Sequence, residues 1–108
     1  MGRGVSWDRK LKAVLRFLVN PISLGGLARA VASELNMNPY TMRGQVTYIV
    51  RVLEKYGYVK MLPHSGPKGA KLYTLTDKGR MMYKTLLEAI DFIAEVKKAL
   101  REYAGVGD

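Results

Sequence analysis

The chain has 108 residues, 48% hydrophobic and 25% charged, a size and composition that hold one domain (1–108) around one modest core. It has no cysteine, which excludes disulfides and thiolate metal sites, and no apolar run approaches the ~18 residues of a membrane span. Within a net charge of +9, residues 1–84 carry 15 Lys/Arg against 4 Asp/Glu, whereas residues 85–108 carry 3 against 5, so the positive excess lies on the body of the protein and points to a polyanionic partner.

In chain order, the first helix is predicted from an N-cap at Ser6 through Trp7 to Val19. Trp7, Leu11, Val14, Leu15 and Leu18 share one buried face. Asn20-Pro21 ends it, because the residue before a proline is pushed out of helical geometry. Ser23 caps a second helix with the stripe Leu24, Leu27, Ala28, Val31 and Leu35, and its many small residues let another helix cross closely. After the break Asn36-Met37-Asn38, Pro39 opens a third helix that runs to Tyr56 and stops at Gly57. Two helices joined by a three-residue break form a helix-turn-helix. Tyr58–Leu62 and Lys71–Leu75 are β-prone runs around PHSGPKGA and read as a hairpin. Thr76 or Asp77 caps a last helix to Tyr103, about 27 residues and roughly 40 Å long.

The third helix divides sharply around its axis. Met42, Val46, Ile49, Val50, Leu53 and Tyr56 gather on one side as core. Opposite them lie Tyr40, Gly44, Thr47, Tyr48, Arg51 and Lys55, flanked by Thr41 and Arg43, with Glu54 the only acid near that face. A merely solvated helix face usually interleaves acids with bases, and this one does not. Glycine costs ~1 kcal/mol relative to alanine inside a helix, so Gly44 at mid-face suits close approach to a partner. The DNA major groove admits an α-helix, read mainly from its N-terminal part. Tyr40, Thr41, Arg43, Gln45, Thr47 and Tyr48 are therefore candidate base contacts. Arg43 is suited to guanine, Gln45 to adenine although it sits toward the buried edge, and the threonine methyls to thymine. Arg51 and Lys55 suit phosphates. At the hairpin tip, residues 62–71, His64, Lys68 and Lys71 suit a backbone or the minor groove, and Arg3 in an N-terminal arm suits a neighbouring minor groove. The start MGRGVS also fits a short acylation pattern at Gly2, of a kind that arises by chance.

The order helix, helix, turn, helix, ribbon, helix resembles the winged-helix transcription regulators. Leu53-Glu54-Lys55-Tyr56-Gly57-Tyr58-Val59 is similar to the L-E-x-x-G-hydrophobic-V end of their recognition helix, and Tyr73-Thr74-Leu75-Thr76-Asp77-Lys78-Gly79 to the Y-x-L-T-x-x-G that closes their wing. The likeness covers roughly residues 7–85 and does not separate MarR-like, PadR-like, ArsR-like and archaeal members. It implies a mostly helical α+β fold, with a DNA-binding core at 7–76, a wing at about 58–75 and a C-terminal helix at 77–103. Metal-sensing relatives use Cys or clustered His, which this chain lacks, so no metal or other cofactor is expected.

In the last helix Met82, Leu86, Ala89, Ile93, Val96, Leu100 and Tyr103 alternate spacings of four and three, a heptad seam. Tyr83, Leu87, Ile90 and Ala94 make a second stripe able to lie on the chain's own domain. Two apolar stripes on so long a helix are difficult to cover within one small domain, so a homodimer through this helix is expected. The combined expectation is a cytoplasmic, homodimeric, sequence-specific binder of double-stranded DNA that regulates transcription. An architectural DNA protein or a winged helix used for protein contacts is the alternative. An enzyme is not expected: His64 is the only histidine and lies in a turn, and no phosphate-cradling motif or paired-acid constellation is present.

Overall fold

The computed structural model describes residues 6–104. The expectations for Gly2 and Arg3 lie outside the described residues. Four helices and a two-stranded ribbon follow in the order α1 (Trp7–Phe17), α2 (Leu24–Leu35), α3 (Pro39–Lys55), β1 (Val59–Leu62), β2 (Leu72–Leu75) and α4 (Asp77–Tyr103).

Short polar side chains set the helix starts. Ser6 Oγ accepts from the Arg9 N–H, Ser23 Oγ from Gly26, Asn38 Oδ1 from Tyr40 and Thr41, and Thr76 Oγ1 from Gly79. Each satisfies a backbone donor that the first helical turn leaves without a partner. The helix ends are equally local. Asn36 closes α2 with a left-handed φ of 55°. At the end of α3, Gly57 takes φ 83°, its N–H bonds the Glu54 carbonyl, and the Tyr58 N–H reaches back to Leu53, the double bond of a Schellman stop. Helix α1 ends two residues before the expected Val19. The Leu18 carbonyl turns away to accept from Leu75 N–H and Thr74 Oγ1 of β2, and so ties the first helix to the ribbon.

The strands pair antiparallel in the register Val59↔Leu75, Lys60↔Thr74, Met61↔Tyr73 and Leu62↔Leu72. Ile22 adds a single antiparallel bridge to Tyr73, with both hydrogen bonds made. Leu18, Leu27, Met42, Leu75, Val14, Val31, Val46 and Val50 fill the centre between the helices and the base of the ribbon. The junction with α4 is tight. A Cβ on Gly79 would stand 2.1 Å from the Tyr58 carbonyl oxygen, so only glycine lets the last helix start there. Tyr58 O also accepts from Thr76 N–H, and Thr76 Oγ1 donates to Gly57 O.

Two residues expected in the core are outside it. Tyr56 is 59% exposed: it is the C-cap residue of α3, still bonded through its N–H to the Val52 carbonyl, at the end of the helix where the core no longer reaches. Trp7 is 53% exposed, because it sits in the first turn of α1 beyond the elements that cover Leu11, Val14 and Leu15. The aliphatic stem of Lys10 is buried instead, with its ammonium 4.6 Å from the Trp7 ring centre. The distal half of α4, residues 91–103, is exposed all round. No helix of the described residues is long and apolar enough to cross a membrane.

Candidate nucleic-acid interface

Helix α3 offers one continuous open face. Tyr40, Thr41, Arg43, Gly44, Tyr48, Arg51 and Lys55 are exposed, Tyr40 to 90%. At Gly44 an added Cβ would meet nothing within 4 Å, so the notch faces open space. Nothing in the chain's own packing calls for glycine there.

The remaining base-contact candidates are placed differently. Thr47 is half-buried, and its hydroxyl donates to the Arg43 carbonyl one turn back, leaving the methyl group as its outward offering. Gln45 is also half-buried, and its Oε1 is buried with no hydrogen-bond partner among the described residues. Tyr48 leans to one side and lines an apolar cavity of about 280 Å³ with Trp7, Asp8, Leu11, Ile49, Val52 and Leu53. Arg43 extends its Nη1 toward Gly25 of α2. Lys55 lies over the ring of its neighbour Tyr56, 6.0 Å from the centroid.

The ribbon tip is built around left-handed residues. His64 (φ 56°), Lys68 (φ 58°) and Gly69 (φ 75°) turn the chain, and Gly66 and Ala70 close it with an N–H to carbonyl bond of 2.9 Å. A single 3-10 turn at Pro67–Gly69 carries Lys68. His64, Lys68 and Lys71 are all exposed, as their expected role requires. Holding two non-glycine residues in this region costs of order 1–2 kcal/mol each, so the tip is a shaped loop.

The last helix carries the other candidate surface. Met82, Ala89, Ile93, Val96, Leu100 and Tyr103 are exposed, with Leu100 at 61%. Leu86, expected on the same seam, instead packs with Tyr83 against the core of its own chain. Together with Met82 it lines a cavity of about 200 Å³ that shares Leu11 and Leu53 with the first. Phe92, 66% exposed beside Ile93, belongs to this surface and is missing from the heptad pattern because it falls one residue off the seam. Among the described residues, no three His, Cys, Asp or Glu side chains group to hold a metal ion.

No family model matches the chain, and no curated protein matches it. Solved structures do. A PadR-like transcriptional regulator from Bacillus cereus aligns at a TM-score of 0.70 and 13% identity, over 87% of this chain and 92% of the other. A variant of ZitR from Lactococcus lactis aligns at 0.61 and 16%, over 95% and 68%. Another ZitR variant, solved in complex with DNA, aligns at 0.59 and 16%, over 87% of this chain and 60% of its own length. At these identities the shared property is the fold, and the fold is the winged helix.

Proposed function

We propose that this winged helix binds duplex DNA as a sequence-specific, homodimeric regulator of transcription, with α3 in the major groove and the ribbon tip on the backbone or in the minor groove. The observation that carries the reading is the open face of α3: basic and aromatic, nearly free of acids, and notched at Gly44 where the chain's own packing demands nothing. The positive excess of residues 1–84 supplies the sequence-independent attraction to phosphates. Among the structures of like fold stand a transcriptional regulator and a protein bound to DNA, which supports the same partner.

The homodimer rests on α4. Its apolar residues Phe92, Ile93, Leu100 and Tyr103 are exposed along its distal half, and the cavities along Trp7, Leu11, Leu53 and Met82 offer a second copy an apolar seat. A two-fold pair presents two recognition helices to one side of the duplex, and half-sites about one helical turn, ~34 Å, apart suit it. Selection of bound sequences from a random duplex pool tests the reading: a pseudo-palindromic consensus is expected. Equal affinity for selected and scrambled duplexes would make the protein an architectural binder. Weak binding to both at low salt would make it a module for protein contacts.

A further inference from the structure

A cleft of about 370 Å³ opens between the first turn of α2 and the start of α3, lined by Gly25, Ala28, Arg29, Pro39, Tyr40 and Arg43. Two arginines from different helices converge in it on one glycine. A Cβ added to Gly25 would stand 3.5 Å from Nη1 of Arg43 and 3.6 Å from Nη1 of Arg29. Guanidinium groups keep their charge at any physiological pH, so the two repel each other. The lining holds no acid. Among the described residues the one ion pair is Arg16 with Glu34, outside this lining, and neither the Arg29 nor the Arg43 guanidinium has a hydrogen-bond partner. The positive end of α2 adds to the excess. Ser23 Oγ takes the N–H of Gly26, while those of Leu24 and Gly25 find no acceptor among the described residues.

The arrangement sets two like charges side by side with no acid between them, and it is complementary to a tetrahedral anion. We propose that this cleft is a phosphate clamp in which Arg29 and Arg43 together hold one backbone phosphate of a duplex, in the room that Gly25 leaves open. Tyr40 stands at its rim. Charge-assisted bonds from two planar forks fix the position of such a group as well as its charge. The clamp rests on the DNA-binding reading above and alters one part of it. Arg43 grips the backbone instead of reading guanine, and Arg29, outside the recognition helix, joins the interface.

Affinity for a selected and a scrambled duplex, measured over a range of salt, tests the clamp with Arg29→Gln, Arg43→Gln and the double variant. Both single variants are expected to weaken binding to the two duplexes alike, and the double variant to flatten the log–log salt slope by about 0.9, the value for one phosphate. Gly25→Asp supplies a readout without DNA. Its carboxylate, in the first turn of α2 between the guanidiniums, is expected to raise Tm by roughly 2–4 °C above that of Gly25→Asn, which gains helix propensity without the charge. It should also abolish any further effect of Arg29→Gln on binding. Inorganic phosphate alone, followed by the Nε–H resonances of Arg29 and Arg43, is expected not to saturate at low millimolar concentration. Saturation there would assign the cleft to a small free anion and overturn the duplex assignment. Unchanged affinity and slope in Arg29→Gln, with wild type still binding, would overturn the clamp and leave the DNA-binding reading standing. A loss in Arg43→Gln confined to one base pair would return that residue to base reading and overturn it too, as would a Tm for Gly25→Asp no higher than that of Gly25→Asn. Wild type binding neither duplex at low salt would overturn clamp and reading together.

Discussion

Replacing Gly44 with alanine should strengthen the fold and weaken the complex. The residue lies in the interior of α3, seventeen residues long, and beyond the helix's own backbone no atom of the described residues comes within 4 Å of the missing Cβ. No contact is therefore strained by the methyl group, and the whole helix-propensity difference of ~1 kcal/mol becomes stability. For a domain of this size that raises Tm by about 4 °C. Binding moves the other way because the open space at Gly44 is where the duplex must come. Gly44→Leu fills it with a bulk that holds the helix off the base edges, at an expected loss of about 1–3 kcal/mol, or roughly five- to 150-fold in Kd. Thermal unfolding followed by circular dichroism, together with anisotropy titration of a labelled selected duplex, measures both signs on the same samples. A stabilised variant with undiminished affinity would refute the argument, since it would show that the open face of α3 is not the face DNA meets.

Other substitutions test the remaining surfaces. Gly79→Ala drives a methyl group against the Tyr58 carbonyl at 2.1 Å and should destabilise the protein by about 3 kcal/mol, read as a lower urea midpoint; an unchanged midpoint would mean that α4 can shift freely. Ile93→Asp with Leu100→Asp should convert a dimer to a monomer in sedimentation at micromolar concentration, with little change in Tm of the isolated domain, because both side chains are exposed in the single chain. A monomeric wild type would refute the assembly. Lys68→Ala with Lys71→Ala should weaken all duplexes alike and flatten the salt slope by up to about 1.8; an unaltered slope would remove the ribbon tip from the phosphates.

Most of the fold was legible because its signals are local. Ser6, Ser23, Asn38 and Thr76 mark helix starts in a few residues, and Gly57 marks a stop. What was illegible depends on distant partners. The end of α1 is decided by a carbonyl bonded to β2 more than fifty residues away, and the Ile22 bridge is one residue long, too short to leave a periodicity. Tyr56 fits the helical wheel but is the C-cap residue, at a helix end that the wheel does not show to lie beyond the core. The candidate site divides in the same way. The face of α3 follows from 100° per residue. The convergence of Arg29 with Arg43 needs the crossing of α2 and α3, and the diversion of Tyr48 toward Trp7 needs α1.

The joint at Tyr58 has a mechanical consequence. Its carbonyl accepts from Thr76 and abuts Gly79, while Thr76 and Lys78 reach back to the Gly57 and Tyr56 carbonyls at the end of α3. The end of α3 and the start of α4 are thus tied directly to each other. Over an α4 of roughly 40 Å, each degree of tilt at that joint swings the far tip by roughly 0.7 Å. Working in reverse, a force that seats the tip bears on the end of α3 through these bonds, and the joint, with Tyr83 and Leu86 packed on the core, sets where the helix points.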